Sequence, residues 1–296
     1  MSSQRVRKVI IPVAGYGTRF LPYTKSIPKE MLPIVDKPVI HHIVEEAAEA
    51  GITQIILVTG MNKRAIEDYF DYNLELESLL QKSGKDAQML LSREASDLAS
   101  FVYVRQKEQL GNGHAILQAK DLIGEDEPFV VMWGDEMYMG KPTKLQQMIE
   151  VYEKYQKPVF LTMERDNEED FSRYGYVGLG EQHEEGLWDV TSLIEKPGKA
   201  LAPSKQAALG CYILTGDIFK TLETQQPGNG GEIVLAEALS RYAEDHPMLA
   251  KEVKNLRYFD CGNKLEYMKA TIEYALQRDD IGHDLKEYLN GLSGKL

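Results

Sequence analysis

Short apolar runs alternate with amphipathic stretches through the first half of the chain. The runs RKVIIPVAG, TQIILVTG, SFVYVRQ and PFVVMWGDE are rich in β-branched residues and predict four strands. The stretches VIHHIVEEAAEAG, KRAIEDYFDYNLELESLLQK, GHAILQAKDLIG and PTKLQQMIEVYEKY have apolar positions at helical spacing. Strands that alternate with helices indicate βαβ units, and an unbroken apolar run such as FVVM suits a strand buried on both faces. We therefore predict a mostly parallel sheet flanked by helices.

After KPVFLTME the pattern changes to alternating polar and apolar residues with frequent turn residues. RYGYVGLGEQ and LWDVTSLIEKP predict antiparallel strands added to the same sheet. AALGCYILTGDIFKTLE predicts a strand that leads into a helix, and GGEIVLAEALSRYAE predicts a helix. NLRYFDCGNKLEYMKATIEYALQ predicts a strand, a turn and a long helix. Because no linker or repeat interrupts the chain, we expect one α/β domain over residues 1–296.

Composition and charge narrow the class of partner. A formal net charge of −12 argues against non-specific binding to nucleic acid, which needs a basic surface. The chain has no run of about 18 apolar residues, so no membrane span is expected. Cys211 and Cys261 lie too far apart in sequence to suggest a disulfide framework or a zinc site. With no signal-peptide pattern at the N-terminus, we expect a cytoplasmic protein.

A basic segment follows the first predicted strand. In IPVAGYGTRF, Gly15 and Gly17 allow backbone N–H groups to approach phosphate oxygens, and Arg19 can clamp a phosphate with two hydrogen bonds. Lys29 adds a second cation ten residues further on. A kinase-type phosphate loop is absent, and the alternative interpretation is a tight turn with solvated basic residues. An acidic chain with a locally basic loop indicates a small anionic ligand.

Two aspartates and a lysine follow other predicted strands. Asp135 and Asp260 stand beside glycine at the ends of apolar strands, where ligands of open α/β sheets bind. Magnesium is usually held by few carboxylates together with phosphate oxygens and water, so these two could share an ion. Taken singly, Asp135 could be a turn residue and Asp260 a helix cap. Lys196 precedes Pro197, which restricts its backbone to extended or turn geometry, although it could equally be a surface lysine.

Together these segments resemble the sugar nucleotidyltransferases, and more closely the bacterial UTP–glucose-1-phosphate uridylyltransferases. The family's opening signature has the form A-G-x-G-T-R-F-L-P-x-T-K-x-x-P-K-E-M-L-P-I-x-x-K-P, and residues 14–38 match it almost throughout. VRQKEQLGNGHA, YGYV, EKP, YILTGDIF, GGEI and YFDCGNKLEYMKATIEYAL continue the likeness in the same order to about residue 277. The resemblance implies one Rossmann-like domain, with a nucleotide-binding half near residues 7–160, a sugar-binding half near 161–262 and C-terminal helices over 263–296.

The resemblance also implies a reaction and a role for each matched position. UTP and glucose 1-phosphate would react at a magnesium site to give UDP-glucose and pyrophosphate. The catalytic residues would be Arg19, Lys29, Lys196 and Asp135, and the magnesium ligands would be Asp135 and Asp260. The nucleotide would be bound by Ala14, Gly15, Gly17, Thr18, Gln106 and Gly111, and the sugar by Gly175, Glu195, Gly210 and Glu232. Dimers and tetramers are common in this family, so a homo-oligomer is expected.

Three departures from the family pattern leave the substrate pair open. Tyr16 and Asn112 replace residues that are commonly leucine in the uridylyltransferase branch, and Glu136 stands in Gly-Asp-Glu where Pro-Asp-Asp is usual. Another nucleotide, such as dTTP, or another hexose 1-phosphate is therefore an alternative. A non-catalytic sugar-nucleotide-binding regulator is a second alternative. A dinucleotide-dependent oxidoreductase is a weaker one, since Phe20 occupies the position of its third glycine.

Overall fold

The strands predicted in the first half lie side by side in one sheet in the computed structural model of the chain. The structure describes residues 4–228 and 230–293, so residues 1–3 and 294–296 of the predicted domain lie outside the described residues, as does Asn229. The strands are β1 (Lys8–Pro12), β2 (Pro33–Ile34), β3 (Lys37–Pro38), β4 (Gln54–Thr59), β5 (Ser100–Arg105), β6 (Pro128–Met132), β7 (Glu136–Met139), β8 (Val159–Glu164), β9 (Gly175–Glu184), β10 (Leu187–Glu195), β11 (Gln206–Thr215), β12 (Leu249–Glu252) and β13 (Arg257–Asp260). The helices are α1 (Val39–Glu49), α2 (Arg64–Phe70), α3 (Leu74–Lys82), α4 (Asp86–Arg93), α5 (Asn112–Leu117), α6 (Lys144–Tyr155), α7 (Ile218–Glu223), α8 (Leu235–Asp245), α9 (Lys264–Leu276) and α10 (Gly282–Ser293).

The main sheet joins a parallel half to a mixed half. Within the described residues it has nine strands in the order β5-β4-β1-β6-β11-β8-β12-β10-β9. β5, β4, β1 and β6 are parallel to one another. β11 runs antiparallel to β6, β8 and β9, and β10 runs antiparallel to β12 and β9. The predicted parallel sheet with added antiparallel strands is confirmed.

Helices cover both faces of this sheet because successive side chains of a strand point to opposite faces. In β1, Val9 and Ile11 belong to the hydrophobic core on one face, together with residues of α1, α6 and α9. Ile10, between them, belongs to the core on the other face, with residues of α5, α7 and α8. All five residues of β6 are buried, as expected for a strand covered on both sides. The arrangement is the predicted Rossmann-like α/β fold.

Some elements differ from those predicted. The single helix expected over KRAIEDYFDYNLELESLLQK is wrong, because α2 ends at Phe70 and α3 begins at Leu74. Asn73 caps α3 by accepting a hydrogen bond from the backbone N–H of Leu76 at 3.0 Å. The helix expected over GGEIVLAEALSRYAE begins only at Leu235. Among the helices of residues 4–228 and 230–293, none combines the length and apolar character that crossing a bilayer requires.

The strand predicted within NLRYFDCG does not join the main sheet. β13 instead pairs antiparallel with β7, and Asp260 lies opposite Glu136 in this two-stranded ribbon. β7 follows β6 directly, so the ribbon returns the chain to the end of that strand. The backbone N–H of Cys261 donates to the carbonyl of Asp135 at 2.8 Å and closes the junction. Asp260 therefore reaches Asp135 through the ribbon and not as the end of a main-sheet strand.

Candidate active site

One cavity of about 670 Å³ opens where β1, β5 and β6 end. Its size is typical of a small-molecule site. Predicted site residues that line it are Gly15, Arg19, Lys29, Gln106, Gly111, Asp135, Gly175, Glu195, Lys196, Gly210, Glu232 and Asp260. Ala14, Gly17 and Thr18 do not line it. The sequence-based argument that strand ends meet at one cleft therefore holds for most of the residues it named.

The three remaining residues support the loop after β1. Gly17 has a φ of 64°, and its carbonyl accepts a hydrogen bond from Thr24 Oγ1 at 2.8 Å. A Cβ at Gly17 would lie 3.1 Å from the Cβ of Lys29, so glycine permits the close approach of the two basic turns. The carbonyl of Ala14 accepts from Gln109 Nε2 at 2.7 Å. Thr18 lines a neighbouring cavity of about 260 Å³.

Gln106 and Gly111 form one wall of the cavity. Gln106 Nε2 lies 3.1 Å from both the Gly111 carbonyl and His114 Nδ1, so the buried amide is held in place from two sides. Gly111 has a φ of 103°, and a Cβ there would lie 2.5 Å from the carbonyl oxygen of Ile233. The same Cβ would lie 3.0 Å from the Cβ of Glu232, which places Glu232 beside Gly111. His114 has the structural role of fixing Gln106.

Asp135 and Asp260 meet beside Gly262. A Cβ at Gly262 would lie 2.6 Å from Asp135 Oδ2 and 2.9 Å from Asp260 Oδ1, so both carboxylate oxygens are close to one point. Asp260 Oδ1 accepts the backbone N–H of Gly262 at 2.9 Å. Asp260 does not cap α9, because Asn263 accepts the N–H groups of Leu265 and Glu266. Two carboxylates that converge on a glycine form an oxygen-rich cradle.

Three cations surround this carboxylate pair. Lys29 Nζ lies 2.6 Å from Asp135 Oδ2, and both side chains are largely buried. Arg173 Nη2 lies 2.8 Å from Asp260 Oδ2, and Arg19 Nη1 lies 3.6 Å from the same oxygen. Burial opposes ionisation of Asp135, but Lys29 outweighs it and lowers the pKa of that carboxyl. Burial likewise opposes the charge on Lys29, whose pKa Asp135 raises.

A second group of residues lines the cavity beyond the aspartates. Gly175 is the partner of Glu195 across β9 and β10, and a Cβ at Gly175 would lie 3.1 Å from Glu195 Oε2. Gly210 leaves room for the side chains of Trp133 and Glu136. Burial, with the nearby carboxylates of Asp135 and Asp260, raises the pKa of Glu136 to about 8. This end of the cavity offers both hydrogen-bonding carboxyls and space left by glycines.

Lys196 adopts the turn alternative of its predicted geometries. Its φ is 47°, in the left-handed region that side chains other than glycine seldom occupy. The ammonium lies 3.4 Å from Glu195 Oε1, and 58% of the side chain is exposed. A residue held in such a conformation between β10 and Pro197 projects from a defined point on the cavity wall.

Sequence reasoning missed several residues of the site. Arg173 precedes the YGYV motif by one residue, and Gln109 lies within the motif VRQKEQLGNGHA, so both stood next to recognised positions. Glu30 and Lys63 form a buried ion pair at 2.8 Å beneath Lys29. Burial raises the pKa of Glu30 and lowers the pKa of Lys63. The attraction between the two charges opposes both shifts. Nothing in the spacing of Lys63 signalled this contact.

One other group of potential metal ligands occurs among the described residues. His41, Glu45 and Glu94 bring one ligand atom each within 4.8 Å of the others. Lys37 Nζ lies 3.1 Å from Glu45 Oε1 and 2.5 Å from Glu94 Oε1, so an ammonium group already neutralises both carboxylates. The cluster is therefore a structural ion-pair network.

The chain is similar to known proteins over almost its whole length. The model of the nucleotidyl transferase family matches residues 8–277. A UTP–glucose-1-phosphate uridylyltransferase from Staphylococcus epidermidis is 46% identical over 289 residues, covering 98% of this chain and 99% of the relative. An enzyme with the same name from Bacillus subtilis is 45% identical over 292 residues, covering 99% of each chain.

Solved structures give the same picture. A UDP-glucose pyrophosphorylase complexed with UDP-glucose superposes with a TM-score of 0.82 and 41% identity, covering 92% of this chain and 100% of the other. A UTP-bound enzyme of the same kind from Acinetobacter baumannii has a TM-score of 0.87 and 36% identity, covering 96% and 98% of the two chains. The fold is also similar to that of a glucose-1-phosphate thymidylyltransferase described as putative, with a TM-score of 0.71 at 22% identity.

Proposed function

We propose that this chain, which belongs to the nucleotidyl transferase family, transfers the uridylyl group of UTP to glucose 1-phosphate. The products are UDP-glucose and pyrophosphate. The observation that carries the proposal is the convergence of Lys29, Arg19 and the Asp135–Asp260 pair on one cavity. The similarity to uridylyltransferases over nearly the full chain supports the choice of substrates.

The chemistry needs positioning and charge stabilisation more than a general base. A phosphate oxygen of glucose 1-phosphate is already anionic and attacks the α-phosphorus of UTP directly. The new oxygen–phosphorus bond forms as the bond from the α-phosphorus to the bridging oxygen of the β-phosphate breaks, and that oxygen leaves with pyrophosphate. Lys29 and Arg19 stabilise the negative charge that builds up at the α-phosphate and on the leaving group. Lys196 binds the phosphate of the sugar.

Asp135 and Asp260 are the residues that would hold magnesium. The donor set fits, because both offer carboxylate oxygens, and the absence of a side chain at Gly262 lets these oxygens and Arg19 Nη2 come together there. Bound magnesium supplies further neutralisation of the attacked phosphate and the departing pyrophosphate. The cations that contact these carboxylates within the described residues are Lys29, Arg19 and Arg173.

The remaining roles divide along the chain. We propose that residues 7–160 bind mainly the nucleotide, through the loop at Ala14, Gly15, Gly17 and Thr18 and through Gln106 and Gly111. Residues 161–262 bind the sugar phosphate, with Gly175, Glu195 and Gly210 beside the sugar. Glu232, which the resemblance assigns to the sugar, lies beside Gly111 and so approaches the cavity from its nucleotide end. Residues 263–293 include α9, which supports the two-stranded ribbon of β7 and β13.

Two of the three departures from the family pattern differ in their position relative to the main cavity. Tyr16 is 70% exposed and does not line the main cavity. Asn112 lines the cavity, and its Oδ1 accepts the N–H of Leu235 at 2.8 Å and thereby anchors α8. Gln106 and Asn112 are polar side chains available to the pyrimidine edge, and an amide would serve uracil and thymine alike. The choice between UTP and dTTP therefore rests on the fit of the 5-methyl group.

A substrate panel tests the proposal directly. The full chain is incubated with magnesium, one of UTP, dTTP, ATP or GTP, and one of several hexose 1-phosphates, and pyrophosphate release is measured. We expect UTP with glucose 1-phosphate to give the highest kcat/KM. A higher value for dTTP would move the assignment to a thymidylyltransferase. Absence of pyrophosphate release with every pair would favour the non-catalytic regulator.

We also propose that the protein forms a homo-oligomer and is located in the cytoplasm. Leu265 and Met268 on α9 and Tyr288 on α10 are each more than half exposed, and such apolar side chains suit a contact between copies. The described thiols of Cys211 and Cys261 are free and buried, as is usual in a reducing compartment. Light scattering during size-exclusion chromatography should give the mass of a dimer or tetramer.

A further inference from the structure

Arg173 occupies the junction between the carboxylate pair and the sugar end of the cavity. It lies two residues before Gly175, at the start of β9, and it lines the same cavity as Glu195 and Lys196. Its Nη2 contacts Asp260 Oδ2 at 2.8 Å, so the guanidinium lies within a hydrogen bond of a proposed magnesium ligand. Arg173 is therefore a cation that both contacts a proposed magnesium ligand and lines the cavity that the sugar phosphate would enter.

Most of the hydrogen-bonding capacity of the Arg173 side chain is unused in the structure. A guanidinium has five N–H donors, and the Asp260 contact is the one hydrogen bond that this side chain forms with the described residues. Nη1 lies 4.0 Å from Asp170 Oδ1, beyond hydrogen-bonding distance. The side chain is 37% exposed, and its guanidinium stacks near the ring of Tyr174 at 5.2 Å. Free donors on a partly exposed, cavity-lining arginine are available to an anionic ligand.

We propose that Arg173 binds the phosphate contributed by the sugar 1-phosphate, as a second cation beside Lys196. This inference rests on the proposed function. Lys196 provides a point charge on a largely exposed side chain. Arg173 provides a planar guanidinium whose paired N–H donors fix the orientation of a phosphate. Asp260 holds the guanidinium near the cavity, and a divalent cation on this carboxylate would leave Arg173 free to pair with the phosphate. Orientation of that phosphate aligns the attacking oxygen with the α-phosphorus.

Ligand binding separates this role from mere support of Asp260. UDP-glucose contains the phosphate in question, whereas UTP carries no sugar. Arg173→Ala and Arg173→Lys are compared with wild type by calorimetric titration of UDP-glucose and of UTP at fixed magnesium. Lys199→Ala is the matched control, because Lys199 is a half-exposed cation of the same region, 3.5 Å from Glu168, that does not line the cavity.

We expect Arg173→Ala to weaken UDP-glucose binding about tenfold or more, since it removes a charged hydrogen bond, and to leave UTP binding within about twofold. KM for glucose 1-phosphate should rise in parallel, and Arg173→Lys should recover part of both losses. Unchanged UDP-glucose affinity, or equal losses for both ligands, would overturn the proposal, the second result indicating action through Asp260. Wild-type turnover is measured alongside, so failure of the proposed reaction is distinguishable from failure of this inference.

Discussion

Lys29 Nζ lies 2.6 Å from Asp135 Oδ2, with 18% of the lysine side chain and 15% of the aspartate side chain exposed. The two residues come from different segments of the chain, Lys29 from the 3₁₀ turn Lys29–Met31 and Asp135 from the turn after β6. A mostly buried ion pair of this kind ties the basic loop to the carboxylate pair. It also explains why each group remains charged despite burial.

Lys29 and Asp135 should be coupled energetically, so that removal of both costs less stability than the two single removals added together. Lys29→Met leaves the Asp135 carboxylate buried without its cation, and we expect a loss of about 3 kcal/mol in the free energy of unfolding. In the double variant with Asp135→Asn, the loss should be smaller than the sum of the two single losses. Urea unfolding of the four proteins measures this coupling. Strict additivity would show that the contact contributes nothing to stability.

Asp135 should be required for turnover to a degree that its contribution to stability does not explain. Asp135→Asn keeps the shape of the side chain but removes the charge that the metal and Lys29 need, so we expect kcat to fall about a hundredfold or more. Asp126→Asn is the matched control, because Asp126 is exposed at the other end of β6. It should retain wild-type kcat within about twofold. Steady-state kinetics with circular dichroism separates loss of activity from loss of structure.

Lys196 should also be required for turnover, because it binds the phosphate of the sugar. Lys196→Ala removes a phosphate-binding charge whose side chain is 58% exposed, so we expect most of the turnover to be lost while the fold survives. Steady-state rates with UTP and glucose 1-phosphate, together with a thermal melting curve, make the comparison. Near-normal rates in both Lys196→Ala and Asp135→Asn would remove the roles proposed for these residues.

Much of this site follows from local sequence. Strand ends can be recognised from apolar runs followed by glycine or acidic residues, and the carboxyl ends of β1, β5 and β6 do meet at one cavity. The basic loop after β1 is also visible in the sequence, because glycines and cations alternate there. Such features depend on short-range patterns that do not need knowledge of distant partners.

Contacts between distant segments could not be read in this way. The pairing of β13 with β7 is set by side chains about 120 residues apart, and β13 has the same apolar pattern as a main-sheet strand. The Arg173–Asp260 contact spans 87 residues, and the Glu30–Lys63 pair is hidden in segments that read as turns. Tertiary packing determines these pairs, so neither spacing nor propensity identifies them.

Gly111 should tolerate no side chain. Its φ of 103° strains any other residue, and a Cβ would lie 2.5 Å from the Ile233 carbonyl, so Gly111→Ala must displace the 232–235 segment. We expect KM for UTP to rise at least about tenfold. Gly51→Ala provides the control, because Gly51 has a similar φ of 91° but a Cβ added there would meet nothing within 4 Å. Equal effects in the two variants would show that backbone strain alone accounts for the loss.

His42 should make the protein less stable in mild acid. The ring packs on Tyr274 with centroids 4.9 Å apart, and 16% of the side chain is exposed. Burial lowers the pKa of His42 from 6.5 to about 4, although Glu45, with Oε2 at 3.9 Å from Nδ1, partly opposes the shift. Between these two pKa values the unfolded chain binds a proton that the folded chain does not. Stability is therefore lost as pH falls below 6.5, and this loss is complete near pH 4.

A variant without the imidazole should lack this part of the pH dependence. At pH 5 the shift in pKa corresponds to about 2 kcal/mol, so His42→Gln should lose about 2 kcal/mol less than wild type between pH 7.5 and pH 5. His283→Gln is the control, because 81% of the His283 side chain is exposed on α10 and the change should leave the pH dependence as it is in wild type. Urea unfolding of the three proteins at the two pH values gives the differences in free energy. If His42→Gln and wild type lose equal stability, the imidazole does not remain neutral in the folded protein at pH 5, and its burial beside Tyr274 does not control the acid response.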